Sequence, residues 1–501
     1  MNIEAPELAS NEVSSLSAPT DLCITDMRIV NLVGVPFPST IVRLDTNQGI
    51  SGYGEVRDGA SRTYALELKS RIVGENPCNI DKIFRTIKQF GGHGRRAGGV
   101  CGVEMALMDL AGNAYGVPAY ALVGGRFRDR VMCYADTPEG ADAVEQGKKL
   151  LERRSRGFQM LKVDVGVELL WDVPGAVIAP PYARESRTTM HPFTGIQITQ
   201  TGVDYLADYV KTLRDIVGYD IALATDHFGH IALDSCIRVA RALEPFTLAW
   251  VEDMIPWQYT DQWRQLTEAT TTPTCTGEDI YLAENFKPLI DAHAVRVIHP
   301  DPATSGGIAE TKRLGDYAQE QGIAMALHMA ASPIATMASV HLAAATENFI
   351  GLEHHAADVE RWSELVEGLP RPLIQDGFID VPHNPVPRTA DVWADLGTWL
   401  SVVSTAMRGP YGEVLRTSTA IGATEPELGA QLAAAFAGPA LADIRGRLTE
   451  AVRDGQILEG ADLEATIDLL MAIIVYVGAT REDVAHIPAV ITVLRSGISR
   501  R

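Results

Sequence analysis

The chain contains no closely spaced cysteine pair. Its six cysteines are scattered through 501 residues, and no Cys-x-x-Cys motif occurs. Paired cysteines are the usual mark of disulfide-stabilised secreted domains and of structural zinc sites. We therefore expect reduced thiols, with neither a disulfide framework nor a zinc ribbon.

Basic residues are scarce as well. Lys and Arg total 43 against 64 Asp and Glu, which gives a formal net charge of −21 and a pI near 5.0. Proteins that bind nucleic acid concentrate positive charge on one surface, so we expect no nucleic-acid partner. An enzyme this acidic that binds an anionic substrate must supply local positive charge, either from a metal ion or from a lysine.

Long apolar runs and targeting signals are also missing. The longest apolar stretch, 469–479, is too short to cross a bilayer. The N-terminal segment 1–21 is acidic and Ser-rich, whereas a signal peptide starts basic and continues apolar. We predict that residues 1–21 are disordered, that the protein has no membrane partner, and that it is cytoplasmic.

Residues 22–125 combine strand and helix patterns. Alternating apolar residues on both sides of the TNQG turn predict a hairpin between 23 and 57. Apolar residues at helical spacing predict helices over 63–90 and 99–115, the second ending at a Gly-Val-Pro sequence. These elements predict a small α+β domain.

Residues 126–390 alternate between strand-like and helical stretches. Alternation of this kind is typical of parallel strands joined by helical crossovers. A long irregular insert, 167–200, follows the second strand, and inserts of that length are more often lids or oligomer contacts than slack. The eight strand-like runs are RVMCYA, FQMLKVD, IALATD, TLAWVED, TPTCTGE, VRVIHPD, IAMALH and FIGLEH.

After about residue 390 the strand pattern stops. Residues 395–501 consist of Ala- and Leu-rich amphipathic stretches, which predict a separate helical domain. We therefore predict an α/β fold, a modified TIM-type (β/α)7β barrel with an N-terminal α+β capping domain and an all-helical C-terminal domain.

Three carboxylates occur at equal intervals, since Asp226, Glu252 and Glu278 are separated by 26 residues each time. Each ends an apolar run, so in a barrel all three would meet at the C-terminal rim of the strands. Converging carboxylates repel one another unless a cation with oxygen ligands neutralises them, which favours a Mg²⁺ site. The alternative is three unrelated loop acids, and the equal spacing argues against it.

Ionisable residues occur near three further strand ends. Asp301 and His328 end adjacent runs, and a carboxylate beside a histidine makes an acid/base pair. Lys162 and Asp164 alternate on the second strand and therefore both point into the barrel. An inward lysine suits the stabilisation of an enolate oxygen. Glu353 lies near the end of the eighth run.

With these residues, the chain resembles the mandelate racemase and muconate-lactonising branch of the enolase superfamily over about 22–385. The intervals acid, 26, acid, 26, acid, 23, Asp, 27, His match that branch, as do the helix GGVCGVEMALMDLAGNAYGVPAYALVGG and the segment GFIDVPHNP. The resemblance implies that the three acids bind Mg²⁺, which chelates the carboxylate of a small substrate. It also implies three roles for other residues: acid/base catalysis by Asp301 with His328, neutralisation of that carboxylate by Lys162, and a hydrogen bond from Glu353 to the developing enediolate.

One position departs from the racemase pattern. The branch has Lys-x-Lys on the second strand, whereas this chain has Asp164 at the second position. Racemisation needs a base on each face of the carbanion, but elimination of water can use one histidine. The sequence therefore favours dehydration of a sugar acid to a 2-keto-3-deoxy acid over a racemase or epimerase of a 2-hydroxy acid. Asp164 is either a weak base or a polar residue outside the chemistry.

His227 follows the first predicted metal ligand directly. Some acid-sugar dehydratases of the branch place a catalytic histidine two residues after that ligand, where this chain has Phe228. His227 stays a candidate that reaches the substrate from its loop.

The tail resembles the C-terminal ligand-binding region of tetracycline-repressor-type regulators, through its helical rhythm and its MRGP and PELGAQL segments. It is either such a sensor fold or a generic bundle for oligomerisation, and we expect a homo-oligomer. A third functional class is a regulator whose barrel senses an acid metabolite without turnover. The complete set of catalytic residues favours an enzyme.

Overall fold

A computed structural model gives the architecture of most of the chain. The segments 33–36, 92–98, 188–194 and 227–230 are among those outside the described residues. The described residues are 18–32, 37–91, 99–187, 195–226, 231–366, 369–382, 392–406, 425, 427–428, 441, 444–453, 455–480 and 487–498.

The N-terminal domain is a three-stranded antiparallel sheet covered by a helix. Its strands β1 (Ile24–Leu32), β2 (Ser39–Thr46) and β3 (Ser51–Val56) pair in that order. Gly52 and Gly54 of β3 face the long helix Gly99–Tyr115, and a Cβ atom at Gly54 would lie 1.9 Å from the Gly102 carbonyl oxygen. The two glycines therefore allow helix and sheet backbones to touch.

The prediction of one helix over 63–90 is wrong. The segment forms three short helices, α1 (Arg62–Glu67), α2 (Lys69–Ile72) and α3 (Ile80–Ile87), followed along the chain by α4 (Gly99–Tyr115). Gly74 adopts a φ of +91°, outside the helical region, and Pro77 follows it. This turn interrupts the helix.

Eight parallel strands form the closed barrel that the sequence predicts. They pair in chain order, and the last strand pairs with the first through Leu352 opposite Cys133. The barrel strands are β4 (Arg130–Thr137), β5 (Met160–Asp164), β8 (Ala222–Asp226), β9 (Val251–Glu252), β10 (Thr274–Thr276), β11 (Val297–Ile298), β12 (Ala324–Leu327) and β13 (Phe349–His354).

Helices cover the outside of the barrel. After β13 the described chain has a 3-10 turn, Trp362–Glu364, and the strand β14 (Phe378–Asp380), which pairs antiparallel with β4. Seven strand–helix units and a final strand confirm the predicted (β/α)7β class. The helices of this domain outside the insert are α5 (Ala143–Ser155), α7 (Gln200–Val217), α8 (Leu233–Leu243), α9 (Thr260–Ala269), α10 (Ala283–Asp291), α11 (Pro302–Ser305), α12 (Gly307–Glu320) and α13 (Pro333–Ala345).

The insert after β5 is packed in its described part. It contains the helix α6 (Pro181–Ser186) and a two-stranded ladder of β6 (Val177–Ile178) and β7 (Gln197–Ile198). Leu170 and Ile196 of the insert are buried in the core between barrel and helices. Its predicted role as a lid or an oligomer contact stays a prediction.

The described part of the tail contains α14 (Val392–Ala406), helical residues 444–453, α15 (Leu463–Thr480) and α16 (Ile487–Ile498). These helices pack their apolar residues into a core of their own. In the part of the chain that the structure describes, no helix has the length and apolarity needed to traverse a bilayer.

Candidate active site

The barrel strands deliver the three predicted metal ligands to one rim. Asp226 is the last residue of β8, Glu252 is the last of β9, and Glu278 follows β10 by two residues. All three side chains are buried. Because parallel barrel strands end at the same rim, their carboxylates lie in one region of the molecule.

Lys162 holds three carboxylates together beneath this rim. Its Nζ lies 2.6 Å from Asp226 Oδ2, 2.7 Å from Glu353 Oε1 and 3.3 Å from Glu252 Oε2. Burial alone would lower the pKa of Lys162, but the charges of these three carboxylates raise it well above its usual range. Lys162 therefore stays charged, as an inward lysine that neutralises anions must.

Oxygen donors for a hard cation are concentrated beside Lys162. Asp226, Glu252 and Asp253 each offer an oxygen within 4.8 Å of the others. Burial, and then the charges of Glu278, Asp226 and Glu252, raise the pKa of Asp253 well above its usual range. Clustered carboxylates that destabilise one another's charge fit a divalent cation with oxygen ligands. Asp253 is a candidate that the sequence interpretation missed.

His328 contacts both Asp301 and Glu278. Its Nδ1 lies 2.8 Å from Asp301 Oδ2, and its Nε2 lies 3.1 Å from Glu278 Oε2. Burial would raise the pKa of Asp301, but the charge of Arg57 and the hydrogen bond with His328 lower it. A carboxylate at this position favours a proton on Nδ1 of His328, and Nε2 faces the acidic side chains. The structure brings this predicted pair together.

Arg57 reaches this pair from the capping domain. It follows β3, is buried, and places its guanidinium 3.0 Å from Asp301 Oδ2 and 3.4 Å from Glu278 Oε1. Glu55, two residues earlier, accepts hydrogen bonds from Ser332 at the start of α13. Alternation along β3 sends both side chains toward the barrel, and this spacing was the available signal in the sequence.

Glu252 contacts buried aromatic side chains that the sequence interpretation also missed. His299 Nδ1 lies 2.5 Å from Glu252 Oε1, and Tyr134 shares a 2.6 Å hydrogen bond with His299 Nε2. Trp250 is buried there and donates from Nε1 to Glu252 Oε2 at 2.7 Å. Strand alternation places 250 with 252, and 299 with 301, on the barrel interior.

Glu353 and His355 complete the described site. Neither carboxylate oxygen of Glu353 accepts a well-aligned hydrogen bond from the described residues, although Lys162 lies against it. His355 Nε2 lies 3.1 Å from Glu353 Oε1, and its Nδ1 lies 3.2 Å from Asp136 Oδ2. Burial would raise the pKa of Glu353, but Lys162 and His355 hold it well below its usual range.

The geometry says less about the roles of two other predicted site residues, Asp164 and His227. Asp164 ends β5, is partly buried, and is in register with Asp226 on the neighbouring strand. His227 lies outside the described residues. Their roles, like those of the other site residues, stay predictions.

Three family models match the chain. Residues 14–124 match the mandelate racemase/muconate lactonizing enzyme N-terminal domain, and 145–385 match the enolase C-terminal domain-like family. Residues 386–491 match the tetracyclin repressor-like C-terminal domain. The last match agrees with the predicted resemblance of the tail.

Curated relatives and solved structures agree with these domain matches. The chain is 32% identical over 376 residues to D-xylonate dehydratase of Haloferax volcanii, which covers 73% of this chain and 86% of that protein. It is 27% identical over 344 residues to D-galactonate dehydratase of Variovorax paradoxus, covering 65% of this chain and 81% of that protein. A mandelate racemase/muconate lactonizing enzyme-like protein of Rubrobacter xylanophilus has 30% identity and a TM-score of 0.63, covering 72% of this chain and 93% of that one. The chain therefore belongs to the mandelate racemase/muconate lactonizing branch of the enolase superfamily and is an enzyme, with a repressor-like helical region after its barrel.

Proposed function

We propose that the enzyme is a Mg²⁺-dependent dehydratase that converts a sugar acid into a 2-keto-3-deoxy acid. The observation that carries the proposal is His328, which is held by Asp301 with Nε2 facing the buried carboxylates. Relatives named for the dehydration of D-xylonate and D-galactonate support the reaction class. Asp164, in place of a second lysine on β5, supports elimination over racemisation.

The carboxylates of Asp226, Glu252 and Glu278 are the proposed metal ligands, and Asp253 lies close to them. Their oxygen-only donor set suits Mg²⁺. When bound there, the cation would supply positive charge for the substrate carboxylate.

The chain's own residues would carry the proton transfer. His328 Nε2 takes the α-proton, and Asp301 stabilises the imidazolium that forms. Lys162, kept charged by its three neighbouring carboxylates, offsets the negative charge that develops on the substrate. Glu353 is ionised in this geometry and would have to take up a proton before donating a hydrogen bond to the enediolate.

A screen of monoacid and diacid sugars with Mg²⁺ tests the reaction class, with semicarbazide detection of 2-keto acids. We expect 2-keto product from a subset of the sugar acids, and no product when His328 is replaced by Asn. Consumption of substrate without any 2-keto product would contradict dehydration.

Turnover in D₂O tests the alternative, racemisation or epimerisation. With one working base, the recovered substrate should contain little deuterium while the 2-keto acid accumulates. Rapid exchange with inversion at the α-carbon would show a second base, and the Asp164→Ala variant would then show whether Asp164 is that base.

We also propose that the enzyme works in the cytoplasm as a homo-oligomer, on a small carboxylate substrate and without a nucleic-acid or membrane partner. All six cysteines are unpaired, as expected for a reducing compartment. Leu469, Tyr476 and Val493 of the tail helices are exposed apolar residues that a second subunit could cover. Sedimentation should show more than a monomer, and mobility-shift assays on DNA should show no complex.

A further inference from the structure

The rim of the barrel contains a second carboxylate–histidine pair. Asp136, in β4, lies 3.2 Å from Nδ1 of His355, as Asp301 lies 2.8 Å from Nδ1 of His328. In both pairs the carboxylate faces Nδ1 and leaves Nε2 toward the acid cluster. A carboxylate on Nδ1 fixes the ring and stabilises its protonated form.

The two histidines are neighbours across the site. Their ring centroids are 5.7 Å apart. Nε2 of His355 lies 3.1 Å from Glu353, and Nε2 of His328 lies 4.0 Å from the same carboxylate. His355 keeps about a quarter of its side chain exposed, whereas His328 is buried. The two rings therefore lie side by side at the rim, and His355 is the more exposed of the two.

Dehydration needs two proton transfers. His328 would take the α-proton, and the leaving hydroxyl is protonated either by the same histidine afterwards or by a second acid. Hydroxide is a poor leaving group, so the departing β-hydroxyl needs an acid within hydrogen-bonding reach. Lys162 is fully buried against three carboxylates, and Arg57 is bound to Asp301 and Glu278. Among the described residues around the pair, His355 is the histidine that combines partial exposure with an Nε2 directed at the site.

We propose that His355 is the general acid that protonates the departing β-hydroxyl, and that Asp136 is its positioning residue. The inference rests on the proposed dehydration. Burial would lower the pKa of His355, but the charges of Glu353 and Asp136 raise it to about 9, so the ring carries a proton at neutral pH.

The step balances with the residues present. His328 Nε2 takes the α-proton, and the electron pair of that C–H bond, held first in the enediolate, then forms the double bond between the α- and β-carbons. The bond from the β-carbon to oxygen breaks, and the oxygen takes a proton from His355 Nε2 and leaves as water. Ketonisation of the enol then places one proton on the β-carbon and releases one from the enol hydroxyl, which restores both histidines.

The experiment compares two leaving groups in the full-length Mg²⁺-loaded enzyme. The substrates are the sugar acid that gives the highest wild-type rate and its analogue with fluorine in place of the β-hydroxyl. Fluoride leaves as a weak base and needs no proton. In His355→Asn we expect water elimination to fall by about 10²–10⁴-fold, while fluoride release stays within about threefold of wild type.

The matched variants separate the roles of the neighbouring groups. His328→Asn should lose both eliminations, because it removes the base. Asp136→Asn should act in the direction of His355→Asn but more weakly. His293→Asn should leave both rates unchanged, because His293 is exposed after α10 and has a φ of +46° that asparagine tolerates.

Each contrary result identifies what fails. Equal losses of water and fluoride elimination in His355→Asn would overturn the general-acid role, and so would an unchanged rate of water elimination. A wild type that dehydrates while His355→Asn behaves normally overturns only this inference. A wild type that inverts the α-carbon without eliminating water overturns the proposed function together with it.

Discussion

Arg57 of the capping domain lies 3.0 Å from Asp301 of the barrel, through Nη1 and Oδ2. The same guanidinium donates to the Glu278 carbonyl oxygen and to Thr304 Oγ1, both at 2.8 Å. Burial would lower the pKa of Arg57, but Asp301 and Glu278 raise it further above its already high ordinary value. One residue of the N-terminal domain thus orients both a predicted metal ligand and the acid of the predicted catalytic pair.

Replacing Arg57 with methionine should lower kcat by about 10–100-fold, the usual cost of removing a group that orients a catalytic or metal-bound residue. Arg57→Lys should retain more activity than Arg57→Met. Lysine keeps the positive charge but lacks the planar guanidinium group that contacts Asp301 and Glu278 together. Arg43→Met is the control, since Arg43 is a partly exposed arginine of the same sheet paired with Asp45. A further variant, Arg57→Ala, removes the whole guanidinium group. Free guanidinium added to the assay should restore its activity if the variant has lost only the group that orients Asp301 and Glu278 and is still folded.

Replacing His328 with asparagine should abolish turnover and retain the metal site. The base supplies about 10²–10⁴-fold in rate, whereas the predicted ligands are carboxylates. Steady-state assays and calorimetric Mg²⁺ titration measure the two properties separately. Loss of Mg²⁺ affinity with near-normal residual turnover would assign His328 to the metal instead.

Glu104 predicts a pH-dependent stability. From α4 it accepts hydrogen bonds from the amides of Ile308 (2.6 Å) and Ala309 (2.8 Å) at the start of α12. Burial raises the pKa of Glu104 to about 7, because its effect is larger than the opposite effect of the two amide hydrogen bonds. A carboxyl whose folded pKa exceeds its unfolded value of about 4.3 contributes stability at low pH that is lost as the pH rises toward 7.

The variant Glu104→Gln should therefore flatten the dependence of stability on pH between about 4.5 and 7. The urea midpoints of wild type and variant are compared across this window, and their difference reports the contribution of Glu104 alone. That contribution is about 1.4 kcal/mol for each unit by which folding raises the pKa of Glu104. Glu67→Gln, an exposed site in the same domain, is the control. A parallel profile in wild type and Glu104→Gln would show that the raised pKa does not act on folding.

The strand ends were predictable from the sequence because each barrel strand carries its own local signal. A short apolar run precedes each of Asp226, Glu252 and Asp301. The C-terminal ends of barrel strands lie at one rim regardless of the length or conformation of the loops. The equal spacing of the acids added a second, independent signal. Local patterns therefore sufficed for the barrel and for the residues directly at its strand ends.

Long-range contacts left no comparable signal. Arg57 lies 221 residues before Glu278 in the chain. The spacing of Glu55 and Arg57 predicts that the two share one face of the strand, but not that the barrel covers that face. Gly74 similarly ends a helix through its backbone conformation, which the apolar spacing of 63–90 does not reveal. The Asp136–His355 contact depends on pairing between β13 and β4, which only closure of the barrel produces.

The tail should be a separate cooperative unit. The contacts that define the site involve described residues no later than 355, whereas α14, α15 and α16 pack around a core of their own. Within that core, Asp395 Oδ2 lies 2.7 Å from Arg447, and both side chains are buried. Removing one partner of a buried ion pair costs about 3–5 kcal/mol, far more than at the surface.

Replacing Asp395 with alanine should therefore unfold or loosen the tail while kcat stays within about twofold of wild type at a temperature where the barrel is folded. Arg445→Ala is the matched control, because the exposed Arg445–Glu464 pair in the same helices should contribute about 1 kcal/mol or less. Calorimetry should show the tail transition moving down in Asp395→Ala and staying in place in Arg445→Ala. A loss of kcat or of Mg²⁺ affinity that tracks the tail transition would show that these helices support the barrel site, and the two regions would then be one folding unit.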